Sequence, residues 1–281
     1  MCLNPGSIGV KINQKELLDA AVKHGFEAII AMPDQLAAMS DTELGDYLAK
    51  MQEQQISWGA AGLPLDFRGA GTKFREGLSG FPARCHVLQK AGVTRMSTWI
   101  MPTNDNLTYL ANFKLHTSRL KEVAKIAGYH GIKLGLEYVG PKTLMARDKY
   151  AFVHTLAEVR ELIGAIDEPN MGVQLDSFHW YCAGESKADL LRLSKEDIVT
   201  VDLNDARADR TRATQLDLER ELPMAAGVVD MQAFLEALVA IGYDGPVRAE
   251  PFNKALNDMG NEKALKTTAA AMKKAVSLVG G

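Results

Sequence analysis

Residues 131–138, Gly131-Ile132-Lys133-Leu134-Gly135-Leu136-Glu137-Tyr138, decide the fold. A glycine suited to the left-handed position just past a helix is followed at once by an apolar run that reaches a carboxylate. The phrase reads as helix stop, then strand start. It recurs at Gly25-Phe26-Glu27-Ala28-Ile29-Ile30, at Gly92-Val93 running to Ile100, and at Gly242-Tyr243 leading into Val247 to Phe252. Outward from these anchors, strands are expected near residues 6–10, 26–31, 56–63, 93–100, 132–138, 171–178, 198–204 and 247–251. Between them the apolar period changes from 2 to 3.6. Leu44, Tyr47, Leu48 and Met51 form one stripe behind the capping box Ser40-Asp41-Thr42-Glu43, and Asn13 to Glu16 is a similar helix start. Further stripes are Leu107, Leu110, Phe113, Leu120 and Val123; Phe152, Leu156, Val159, Leu162, Ile163 and Ile166; Phe234, Leu235, Leu238 and Val239; and Leu265, Ala269, Met272 and Val276.

Eight βα units in 281 residues require a parallel sheet with helices outside, and eight close into a barrel more readily than they form an open sheet. The expected fold is α/β, a single (β/α)8 barrel domain spanning residues 1–281. The stretch 206–229 is the longest connection without apolar periodicity, which marks it as the candidate active-site loop.

Composition narrows the function classes. Hydrophobic residues at 47% and charged residues at 24% suit a globular chain with a large interior, and disorder is not indicated. A net charge of -3 gives no general attraction to phosphate backbones or anionic lipid, so nucleic acid and membranes are poor partners and a small ligand fits better. Cys2, Cys85 and Cys182 are odd in number and far apart, which argues against a disulfide framework and for a reducing cytoplasm. No signal-like N-terminus or long apolar run is present, and no GxSxG elbow, P-loop or GxGxxG motif occurs.

In a barrel of this kind, working groups lie where strands end. Strand five ends at Glu137 and strand six at Asp176; strand seven reads Val201-Asp202-Leu203-Asn204-Asp205, and strand eight ends Arg248-Ala249-Glu250. Four consecutive strands each deliver a carboxylate. Such groups repel one another unless protons, basic partners or a cation compensate them. An all-oxygen set favours a hard divalent ion, Mn2+ or Mg2+, over zinc. Trp99, at the end of strand four, is positioned to wall a sugar ring, whereas His86, His116, His130 and His154 fall in helical patterns and read as structural. Trp58 and Trp180 read either way.

Glu137 in Leu-Glu-Tyr-Val-Gly-Pro, Asp176-Ser177-Phe178-His179, Asn204-Asp205, Arg220-Glu221-Leu222-Pro223 with Gly227-Val228-Val229-Asp230, and Glu250 together resemble the xylose-isomerase-like sugar isomerase/epimerase superfamily of TIM barrels, over nearly the whole chain. The resemblance implies metal ligands Glu137, Asp176, the strand-seven residue and Glu250. Where the family usually has histidine, this chain has Asp202, with Asn204 and Asp205 as alternative inward residues one register slip away. It further implies that His179 contacts substrate oxygens, that Arg207 holds substrate or enediolate, and that a dimer or tetramer forms.

The expected reaction is interconversion of a keto-sugar, with Glu137 and Glu250 facing each other across the substrate as acid and base. One alternative is a lyase or dehydratase acting on a 3-oxo sugar or glycoside through the same enolate. Another is an inactive sugar-binding barrel, motivated by the missing strand-seven histidine.

Overall fold

The computed structural model describes residues 1–280. Eight parallel strands close into a barrel, each hydrogen-bonded to its sequence neighbour and the last to the first. They are β1 (Cys2–Leu3), β2 (Ala28–Ala31), β3 (Ser57–Gly62), β4 (Arg95–Trp99), β5 (Lys133–Glu137), β6 (Met171–Asp176), β7 (Ile198–Leu203) and β8 (Val247–Ala249). A helix follows each strand: α1 (Gln14–His24), α2 (Asp41–Glu53), α3 (Gly71–Lys90), α4 (Tyr109–Tyr129), α5 (Leu156–Ile166), α6 (Ser177–Ala183), α7 (Met231–Ile241) and α8 (Asn261–Val276). A two-stranded antiparallel ribbon, Thr103–Asn104 with Tyr150–Ala151, ties the loop after β4 to the loop after β5.

All four anchor glycines, Gly25, Gly92, Gly131 and Gly242, have φ between 71° and 78°, the conformation that costs a side chain most. Both helix-start signals form complete capping boxes, Asn13 with Glu16 and Ser40 with Glu43. The stripe that began at Phe152 is shorter than its periodicity suggests. Thr155 and Glu158 build a third capping box, so α5 starts at Leu156 and Phe152 is buried ahead of it.

Seven of the eight expected strands lie where the apolar runs put them. The first does not: residues 6–8 form a 3-10 turn, and the strand is Cys2–Leu3, between β8 and β2. Two residues are too few to display a period, and the apolar pair Ile8 and Val10 packs the core from a loop instead. Inside the barrel, Gly59 of β3 leaves room for Cys2; a Cβ there would meet the Cys2 Sγ at 2.5 Å. The three cysteines are buried and free. Among the described residues no helix is long and apolar enough to cross a membrane.

Candidate active site in the barrel mouth

Strand register brings the polar groups to two levels. Glu137 pairs across the sheet with Gln174, while Asp176, Asp202 and Arg248 follow one another on β6, β7 and β8 one step further along. A cavity of about 700 Å³ opens above them. Glu137, Gln174, Arg248 and Glu250 form its floor, with Asp176 and Asp202 fully buried beneath. Trp99, Met101, Leu216, Leu218 and Phe252 supply apolar walls, so polar chemistry concentrates at one end.

Glu137, Asp176, Asp202 and Glu250 each place one oxygen within 4.8 Å of all the others. Two buried arginines answer this crowding. Arg220 donates to Asp176 (2.6 Å) and Asp217 (2.6 Å) and lies 3.7 Å from Glu250, while Arg248 pairs with Asp202 through two nitrogens. Two guanidiniums beside the carboxylates of Glu137, Asp176, Asp202, Asp217 and Glu250 leave an excess of negative charge. Burial first, then the charges of Glu250, Asp176 and Asp202, push the Glu137 carboxyl well above the usual range. Burial and Asp202 push Glu250 to about 8, and burial carries Asp176 to about 6 against the pull of Arg220. The Oε1 of Glu137 is buried without a hydrogen-bond partner. An unpartnered carboxylate oxygen within an electron-rich, all-oxygen cluster is a donor set that fits a divalent cation.

Glu137, Asp176, Asp202 and Glu250 do converge, and the two deeper carboxylates are already engaged: Asp176 accepts from the Phe178 N–H at 2.7 Å, Asn204 at 2.9 Å and Arg220 at 2.6 Å. Both oxygens of Asp202 are engaged: Oδ1 takes the Arg248 Nε–H, and Oδ2 takes Arg248 Nη2 at 3.1 Å and Gln174 Nε2 at 2.7 Å. Asn204 points into the same cluster, donating to Asp176 at 2.9 Å, and Asp205 does not. Instead Asp205 accepts from the backbone N–H groups of Ala206, Ala226, Gly227, Val228 and Val229, which folds the end of the 206–229 loop back on the barrel. That loop contributes Leu216 to Arg220 to the cavity wall.

Glu137 and Glu250 were expected to stand on opposite sides of a substrate. One oxygen of each lies within 4.8 Å of the other, and both residues line the cavity. His179 lines the cavity, yet its Nε2 is 3.0 Å from Arg220 Nη2 and its Nδ1 lies 3.3 Å from the Gly140 N–H. Burial and Arg220 hold its value down at about 3, so the ring is a neutral acceptor that steadies Arg220. Arg207 is not brought to the cavity. Its guanidinium is held by Asp209 at 2.8 and 2.9 Å on the outer side of the loop, where charge is solvated. Trp99 stands at the rim with Arg68 stacked on its ring at 3.9 Å. Trp58 and Trp180 are structural, donating to the Ala91 and Ser186 carbonyls.

Sequence reasoning assigned no role to Gln174, Asp217, Arg220 or Arg248. For Arg248 a signal existed: it sits two residues before Glu250, and strand alternation gives both the same face. For Arg220 the signal was its place in the Arg220-Glu221-Leu222-Pro223 motif of the resemblance, which gave no direction for the side chain because an irregular loop has no period.

The family described as Xylose isomerase-like TIM barrel matches residues 18–275 of the chain. The inosose isomerase of Bacillus velezensis is 25% identical over 280 residues, covering 99% of this chain and 97% of that one. The ketose 3-epimerase of Arthrobacter globiformis is 28% identical over 147 residues, 52% of this chain and 43% of the relative. Among solved structures, a xylose isomerase domain protein of Alicyclobacillus acidocaldarius superimposes with a TM-score of 0.87 at 29% identity, covering 100% of this chain and 99% of the other.

Proposed function

The chain belongs to the xylose isomerase-like TIM barrel family, and on that premise we propose that it is an isomerase or epimerase of a keto-sugar or keto-polyol. The observation that carries the reading is Glu137, a buried carboxyl on the cavity floor with one unpartnered oxygen and a second carboxyl, Glu250, within 4.8 Å. The names of the relatives, inosose isomerase and ketose 3-epimerase, point to the same chemistry.

Two carboxyls whose proton affinity is raised by burial and mutual charge suit proton transfer near neutral pH. One, ionised, removes the proton from the carbon beside the carbonyl; the other, protonated, returns it. Glu137, Asp176 and Glu250 would hold a hard divalent ion, Mn2+ or Mg2+, whose chemistry when bound is to polarise the substrate carbonyl and so acidify the adjacent C–H. Arg220, fixed by Asp176, Asp217 and His179, supplies positive charge close to the reacting oxygens. The apolar walls and Trp99 exclude water from the ring above the floor.

The test is substrate C–H exchange in deuterated water with Mn2+ or Mg2+, across ketoses, inososes, hydroxypyruvate and 3-oxo-glucose. Incorporation of deuterium at carbon with no loss of water or of any other fragment is expected. Release of water or a second product would replace isomerisation by elimination on a 3-oxo substrate, and binding without exchange anywhere on the panel would leave a sugar-binding barrel.

A further inference from the structure

We propose that Asp202 is not a metal ligand but the anchor of Arg248, whose guanidinium it holds so that Nη1 meets a substrate oxygen at the cavity floor. The inference rests on the isomerase reading for its chemistry and on independent geometry for the pair. Asp202 and Arg248 are register neighbours on β7 and β8. Nε and Nη2 of Arg248 are both spent on Asp202, and Gln174 adds a third donor to the same carboxylate. Nη1 makes no hydrogen bond among the described residues, and Arg248 lines the cavity while Asp202 is sealed beneath it.

Each part of this arrangement has a physical consequence. A fork of two parallel N–H donors on one carboxylate fixes the plane of a guanidinium, as a lysine could not. The remaining Nη1 is then a cation donor with its direction settled in advance and with little water around it. Negative charge collects on the carbonyl oxygen when the neighbouring C–H loses its proton to a carboxylate, and a preorganised donor there stabilises that charge more than it stabilises the bound ketone. The proton passes to the glutamate and the electron pair to the oxygen, so the step balances without a further reactant. Asp176 also accepts three N–H groups, from Phe178, Asn204 and Arg220, but it meets its arginine through one nitrogen, whereas Asp202 is gripped by two nitrogens of one guanidinium; that fork is what sets Asp202 apart from Glu137, Asp176 and Glu250.

Two measurements test the pair. Mn2+ alone is titrated into the protein by calorimetry and by the loss of its free-ion paramagnetic resonance signal. The charge-balanced double variant Asp202→Asn with Arg248→Met keeps Mn2+ affinity within about threefold, whereas Asp176→Asn lowers it by about 100-fold. Removing both partners avoids the buried lone charge that would unfold a single variant, and thermal melts verify the fold. In the exchange assay the same double variant, with its fold verified, lowers kcat by about 100-fold with KM changed by less than about threefold. Loss of Mn2+ binding in the double variant to the extent seen for Asp176→Asn would make Asp202 a ligand and overturn the assignment. So would a folded double variant that exchanges at the wild-type rate. If the wild type exchanges no substrate on the panel, the isomerase reading fails, and Mn2+ affinity still decides the place of Asp202. If the wild type binds no Mn2+, the three-ligand set falls with the metal reading.

Discussion

The two halves of the barrel are built on different physics. On β1 to β4 the only buried polar side chain among the described residues is Ser97, and the interior is filled by Cys2, alanines, isoleucines and Gly59 in close contact. On β5 to β8, Glu137, Gln174, Asp176, Thr200, Asp202 and Arg248 are all buried, and Glu250 follows at once. One half is held by packing. The other carries several mutually repelling acids that hold together only through two guanidiniums, amide donors and raised proton affinity. Such a half is costly to fold, which points to a use in chemistry, so changes there should act on rate and ion binding, and changes in the first half on stability alone.

The largest expected effect tests that division directly. Glu137→Gln keeps the shape of the side chain and removes its basicity, so kcat in the exchange assay should fall by about 10³-fold while the melting temperature rises or stays, since a repelling acid has gone. A variant that loses stability instead, with rate preserved, would show that the carboxylates are structural.

Next in size is Asp205→Ala. Five backbone N–H groups lose their acceptor, which should cost about 3 kcal/mol and speed amide hydrogen exchange at residues 226–229. Arg220 is tied to this segment through the Asp205–Glu221 backbone pair, so activity should fall with it. Unchanged exchange at 226–229 would mean that the loop is held from elsewhere.

The same contrast explains what could be read before the structure. Carboxylates at strand ends are legible because alternation and a glycine stop locate the ends, and all four anchors precede strands three or more residues long. β1 escaped because Cys2–Leu3 is too short for a pattern, and its place is set by pairing with β2 and with β8, where Cys2 meets Arg248 from the far end of the chain. Glu137, Asp176 and Glu250 could be named from position, but what neutralises them could not. Arg220 reaches Asp176 from 44 residues further along the chain, out of a loop whose course depends on Asp205. Arg207 looked equivalent in sequence and lies outside, because Asp209, two residues on, captures it. Charge partners in loops are decided by tertiary contact, which composition and period do not encode.

In the packed half, Gly59→Ala is the sharper test. Its Cβ would come within 2.5 Å of the Cys2 Sγ, so overpacking should cost about 2 kcal/mol in a denaturant melt, with exchange kinetics unaltered below the transition. In a Cys2→Ala background the clash is gone, and the same substitution should cost less than about 1 kcal/mol. Equal costs in both backgrounds would place the strain elsewhere, and a change in kcat would deny that the halves are separable.

The smallest effect concerns an acid of the polar half that the mouth does not use. Glu185 accepts from the Tyr138 hydroxyl and from the Leu156 N–H at 2.6 Å, and burial raises its carboxyl from 4.5 to about 7. The folded chain therefore keeps this proton over a range in which the unfolded chain has released it. Stability from this group is complete below pH 4.5 and is lost as pH rises towards 7, with a slope of at most about 1.4 kcal/mol per pH unit. Asp176 and Glu250 titrate in overlapping ranges, so the quantity to measure is the difference between wild type and Glu185→Gln. That difference should vary between pH 4.5 and 7 and be flat on either side. A flat difference throughout would mean that Glu185 is ionised in the fold, and that the polar half tolerates a further buried charge without a guanidinium beside it.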